Sequence, residues 1–223
     1  MLKNWLVTAW LASPLCGEAP QLDAILAWEV AHRTGALQHS AIGRWTPQKD
    51  VLHLPIPIAK RDGIYCCSDA ILPAPLAPEW IDHVSKRFES TKIALYLDPG
   101  QRRSLLVTSG PYKSRFTPER VRLLDRVCWL VRGDRVEMNK LLKQVKSLGR
   151  HRNIGYGQVW RWTFDEQEQD YSIFAPCNGK KVLMKTVPLD INLHDVVGYS
   201  QGYGGHEPPY WHPEFHQRVA VPC

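Results

Sequence analysis

Apolar residues recur along this chain with two different periods. Residues 2–12 are almost continuously apolar and read as a buried strand. Pro14, Gly17 and Pro20 then break the chain. Leu22, Ile25, Leu26 and Val30 return at helical spacing, which predicts a helix over 22–33 that Gly35 stops. Residues 40–57 read as irregular, 64–70 as a short strand and 73–78 as a proline-rich connection. Strands are predicted at 92–97 and 104–108, joined through Asp98-Pro99-Gly100. Residues 110–118 read as a loop and 126–131 as another strand. Asp134 is placed to cap the next helix, with Glu137 three residues on closing a capping box. Val136, Leu141, Leu142, Val145 and Leu148 give that helix an apolar face, Lys140, Lys143 and Lys146 line its other side, and Gly149 ends it. Residues 156–164 read as a strand, and 172–185 as a hairpin through Asn178-Gly179. After Pro188 the chain becomes aromatic, glycine-rich and irregular. No internal repeat recurs at a fixed period.

The order of these elements predicts an α+β fold. Two outer β-α-β pieces suggest a ferredoxin-like, RRM-like split βαβ domain with an antiparallel sheet and helices on one face. A loop at about 98–118 is inserted, and an irregular C-terminal hairpin and tail follow from about 166. One domain spans 1–223, with its core in about 1–165. The uncovered face of such a sheet is free for a ligand, as in sheet-based RNA binders.

Charge sharpens this picture. The formal net charge is +6, which leans towards an acidic partner such as nucleic acid. Arg102, Arg103, Lys113, Arg115, Arg120, Arg122 and Arg126 form one basic stretch, and Lys140, Lys143, Lys146, Arg150 and Arg152 a second. Asp165, Glu166, Glu168 and Asp170 form an acidic patch, expected to be a solvated connection. The six cysteines show no paired metal spacing, so reduced thiols in a cytoplasmic protein are expected. The N-terminal apolar run reads as a strand rather than a signal peptide. No stretch is long enough to span a membrane.

The chemistry concentrates in residues 147–162, SLGRHRNIGYGQVWRW. Three glycines, two arginines and a histidine fall within nine residues, Gly149 to Gly157. Such a loop lets backbone N–H groups approach a phosphate while cations neutralise it. Lys146, Gly149, Arg150, His151, Arg152, Asn153, Gly155, Tyr156 and Gly157 are therefore candidate polyanion contacts, with Tyr156 stacking on a base. The segment GPYKSRF at 110–116 interleaves Lys113 and Arg115 with Tyr112 and Phe116, the pattern of single-strand binding. Arg102 and Arg103 sit near a predicted hairpin tip. His32 and His151 are the histidines to weigh as general acid–base groups. His206, His212, His216 and Cys223 match no closed zinc site, and no metal or cofactor is expected. Trp160 and Trp162 alternate with Arg161, so one strand face is aromatic and expected in the core.

Taken in order, SLGRHRNIGYGQVWRW resembles the glycine-rich loop and following strand of the RAMP superfamily of CRISPR-associated proteins. The opening strand followed by LDAILAWEVAHR resembles the first strand and helix of that superfamily. With LPIPIAKRDGIYCCSDAIL at 54–72 and EPPYWHPE at 207–214, the chain resembles the Cas-five-type subunit of type IV CRISPR effector complexes. That resemblance implies a non-catalytic subunit capping the 5′ handle of the guide RNA. Its implied partners are the backbone subunit, a large-subunit-like protein and, through the complex, target DNA near its flanking motif. The alternatives are a metal-independent CRISPR repeat endoribonuclease on the same fold and a protein–protein adaptor with a basic face.

Overall fold

The computed structural model describes residues 1–35, 54–86 and 113–223. The strands predicted at 92–97 and 104–108 lie outside the described residues, as do Arg102, Arg103 and Tyr112. In chain order the elements are β1 (Leu2–Leu11), β2 (Leu15–Cys16), α1 (Leu22–Thr34), β3 (Lys60–Arg61), β4 (Ile64–Tyr65), β5 (Trp80–Lys86), β6 (Arg115–Arg122), β7 (Arg126–Asp134) and α2 (Arg135–Leu142). After them come β8 (Val159–Gln167), β9 (Phe174–Cys177), β10 (Lys180–Leu183), β11 (Val187–Pro188), β12 (Val196–Val197), β13 (Tyr199–Gly205) and β14 (His216–Pro222). The protein is α+β, and its sheets are mostly antiparallel.

β1 is central because its apolar run can be buried along its length. It pairs antiparallel with β7 on one side and β8 on the other. β7 and β8 therefore run in the same direction with β1 between them, and α2 lies on the connection that joins them. Trp5, Val7, Ala9 and Leu11 of β1 pack with Val127, Trp129 and Val131 of β7 beneath α1 and α2. A stretch beyond β7 extends the sheet. Ile58, Cys67 and Ile71 bridge antiparallel to Gly133, Val131 and Cys128, and the β3–β4 hairpin interrupts this edge.

Two further parts flank this core. β5 and β6 form a ribbon, with β2 on its other edge. Residues 173–222 build a second apolar cluster from Ile173, Leu183, Val187 and Ala220, joined by Ile64 and Cys66. Asp23 of α1 ties the two cores together. It accepts a hydrogen bond from Lys185 Nζ at 2.8 Å and from the Tyr210 hydroxyl at 2.9 Å, and both charged side chains are fully buried.

Several expectations change. The lysine-rich helix ends at Leu142, not Gly149. A turn at 143–144 and an irregular stretch to 148 follow instead, and Val145 and Leu148 still reach the core. Asp134 caps that helix by accepting from Val136 N and Glu137 N. Glu137 does not close the box, because it pairs with Lys140 at 2.6 Å. The predicted strand at 64–70 is regular only over Ile64–Tyr65. Arg115 and Phe116 belong to a strand rather than a loop. The tail holds β13 and β14, so it is not irregular. Two of the four acidic residues are paired, Glu166 with Lys3 at 2.7 Å and Asp170 with Arg61 at 2.6 Å, and Asp165 and Glu166 belong to β8 rather than to a connection. Trp162 packs on the core as expected, but Trp160 is exposed. It sits at an irregularity in the β1–β8 register, where the local alternation breaks and its ring turns outward over Arg161.

Candidate nucleic-acid interface

Residues 12–17 hold the glycine loop along its length. Arg150 N donates to Cys16 O at 2.9 Å, Gly157 N to Pro14 O at 2.8 Å, and Ser13 Oγ to Gly155 O at 2.7 Å. Gln158 N returns a bond to Ser13 Oγ at 2.8 Å. This packing accounts for two of the three glycines. A Cβ on Gly149 would lie 2.6 Å from Cys16 O, and one on Gly157 only 2.0 Å from Leu148 O. Only Gly155 faces open space. The expectation that all three glycines let N–H groups approach a ligand is therefore corrected, since two of them admit the chain's own carbonyls.

The ligand-facing amides belong to their neighbours. His151 is left-handed (φ 52°), and a single 3-10 turn, Arg152–Ile154, follows. A left-handed residue followed by a right-handed one turns successive N–H groups into one concavity, an anion-binding geometry. Among the described residues, the N–H groups of His151, Arg152 and Asn153 have no hydrogen-bond partner.

Beside this turn lies an open groove of about 810 Å³, lined by Trp28, Glu119, Ser147, Arg150, His151 and Arg152. Trp28 comes from α1, is half-exposed and stacks on His32 with ring centroids 5.3 Å apart. Glu119 is buried in the groove. Arg150 reaches it at 3.2 Å and His151 Nε2 at 3.2 Å. The His151 hydrogen bond and then the Arg150 charge hold the Glu119 carboxyl below its usual range. Arg152 has no ion-pair partner among the described residues and stays exposed. Glu29 is buried nearby on α1, and burial raises its pKa against the pull of His32, Arg33 and Arg152.

The structure gathers Gly149, Arg150, His151, Arg152 and Asn153 in this groove and disperses the other candidates. Tyr156 donates its hydroxyl to Asp82 on β5. That bond lowers the Asp82 pKa and pushes Tyr156 up to about 12. Lys146 turns back to donate to Lys143 O at 2.6 Å. On the ribbon, Arg115 shares a strand face with Glu119, while Phe116 lies on the other face and stacks on His83 at 4.6 Å. Lys113 precedes β6 and is exposed. The interleaved cations and aromatics read as one loop are thus split across two faces. The basic stretch is also less free than its sequence. Arg122 is buried with Glu18 at 2.9 Å, Arg120 meets Glu79 at 3.7 Å, and Arg126 lies over Trp10.

Each C-terminal histidine meets the backbone through one ring nitrogen, although the buried His212 Nε2 has no hydrogen-bond partner among the described residues. His206 Nδ1 meets Phe215 O at 2.8 Å, His216 Nε2 meets Tyr210 O at 2.7 Å, and His212 Nδ1 accepts from Glu214 N at 3.3 Å.

Sequence reasoning missed Trp28 and Glu119. Trp28 carried a usable signal: it is a large aromatic outside the apolar positions 22, 25, 26 and 30 of its helix. Glu119 carried none, because only the tertiary fold brings it beneath His151. No protein-family model matches the chain, and no curated protein matches it.

Proposed function

We propose that this protein binds single-stranded RNA in the groove between α1 and the glycine loop, as the non-catalytic cap on the 5′ handle of a type IV CRISPR guide RNA. One observation carries the reading. A half-exposed tryptophan, an unpaired arginine and three unpartnered backbone N–H groups line a single open groove. The arginine and the amides suit a phosphate, and the tryptophan face suits an unstacked base. The ferredoxin-like RAMP arrangement belongs to the same proposal. It is supported by β1 lying between β7 and β8, with residues 58–71 along the outer edge of β7. In such a complex the protein abuts the backbone subunit and a large-subunit-like protein, and meets target DNA through the assembly.

Filter binding of a guide RNA in EDTA at several salt concentrations tests this. Arg150→Ala with Arg152→Ala should weaken binding and make the salt slope shallower by about one per cation lost. Trp28→Ala should cost about 1–3 kcal/mol, roughly a 5- to 150-fold loss. Unchanged affinity in both variants would overturn the reading.

A second reading has its own observation. His151 and Glu119 form a hydrogen-bonded pair on the groove floor, an arrangement suited to metal-independent RNA cleavage. His32 has no comparable carboxylate and stacks on Trp28. A discrete product from repeat RNA in EDTA, absent in His151→Ala and kept in His32→Ala, would establish the endoribonuclease instead.

A further inference from the structure

Beneath the groove three side chains of different chemistry meet from distant parts of the chain. Cys16 ends β2, Glu119 lies in β6, and His151 opens the turn after Gly149. Their donor atoms, one thiol sulfur, one carboxylate oxygen and one ring nitrogen, all lie within 4.8 Å of one another. Cys16 is fully buried, and its thiol has no hydrogen-bond partner among the described residues. It is therefore a buried sulfur aimed at a carboxylate and an imidazole, with nothing else to bind.

We infer that Cys16, Glu119 and His151 form a binding site for a zinc-class divalent cation. A thiolate, an imidazole and a carboxylate are the ligand types zinc takes, with bonds of about 2.0–2.3 Å. Tetrahedral bonds of that length need donors about 3.3–3.7 Å apart. His151 Nε2 and Glu119 Oε1 already stand 3.2 Å apart. With the three donors within 4.8 Å of one another, the thiol must close by at most about 1.5 Å. Three protein ligands leave a fourth position for water or an anion, and two of the three, Glu119 and His151, also line the groove.

Arg150 is the competitor. Its guanidinium occupies the same carboxylate, at 3.2 and 3.4 Å from the two oxygens. Its side chain is 68% exposed, so it can swing into solvent when a cation arrives. The thiol is protonated before binding, since burial and then the Glu119 charge raise its pKa. The incoming ion displaces that proton to the buffer as the metal–sulfur bond forms.

The test is a titration of the intact, tag-free, RNA-free protein with Co2+ and Zn2+. One cobalt per chain should bind and give thiolate-to-metal charge-transfer absorption in the near ultraviolet. Zn2+ should displace it and raise Tm. Cys16→Ser should abolish the band, and His151→Gln, on an exposed turn, should weaken affinity at least tenfold while the protein stays folded. Arg150→Ala should tighten metal binding, the opposite of its expected effect on RNA. Cys177→Ser and Cys223→Ser remove the exposed thiols and should leave the band unchanged. Absence of the band, its survival in Cys16→Ser, or equal affinity in His151→Gln would overturn the site. The guide-RNA measurement in EDTA is independent, so either proposal can fail alone.

Discussion

Gly157 shows how one missing methyl group fixes the loop. Its φ is +61°, and an added Cβ would collide with Leu148 O, whereas Gly155 opens to solvent although its φ is +103°. Gly155→Ala should cost about 1–2 kcal/mol, the strain of a positive φ alone. Gly157→Ala should cost more, because a carbonyl must move as well. Urea unfolding of the two variants should rank them in that order. The sequence displays both glycines alike, since steric need depends on what packs against a position. The same limit governs Trp160 and Trp162. Their spacing puts both on one strand face, and a local irregularity in pairing with β1 sends only one of them inward.

The ribbon of β5 and β6 is the element that supports the groove wall. Asp82 and Glu119 face each other across it, and a hydrogen bond from the glycine loop, from Tyr156 and from His151 respectively, holds each carboxyl below its ordinary range. A depressed folded-state pKa contributes stability above the unfolded value, and that contribution disappears as pH falls through the folded value. The contact between ribbon and loop should therefore weaken progressively below about pH 4.5. Tyr156→Phe removes the donor to Asp82 and should flatten this acid dependence, as read from urea midpoints between pH 3 and 6. Elements with strong local rules were legible: the strand predicted at 2–12 is Leu2–Leu11, the helix predicted at 22–33 is Leu22–Thr34, and Asn178-Gly179 turns the β9–β10 hairpin. The lysine-rich helix is shorter than expected because Val145 and Leu148 keep helical spacing yet reach the core from the irregular stretch that follows it. β5 was missed because its residues lie mostly exposed on a ribbon, without the alternation that marks a half-buried strand.

Across the whole molecule, the two cores are joined by a buried charge cluster. Lys185, Asp23 and Tyr210 are sealed together, and Asp23 keeps Lys185 charged against its burial. Removing one partner strands the other in an apolar interior. Asp23→Asn should cost about 3–5 kcal/mol, while Asp23→Leu with Lys185→Met should be far milder. Chemical denaturation of both variants measures the difference. No sequence pattern announces this cluster, because Asp23 lies more than one hundred and sixty residues from both Lys185 and Tyr210 and each is an ordinary residue in its own neighbourhood. The candidate site was legible only as a short run of cations and glycines. Its tryptophan and buried acid came from elsewhere in the chain.

The bonds from residues 12–17 to residues 150–158 have a consequence for biosynthesis. A chain emerging from the ribosome exposes its first anchor early, but the groove cannot take shape until Gln158 has cleared the exit tunnel and returned to Ser13. Any ligand that needs the whole groove must wait for that return, whatever part of the chain is still to be made.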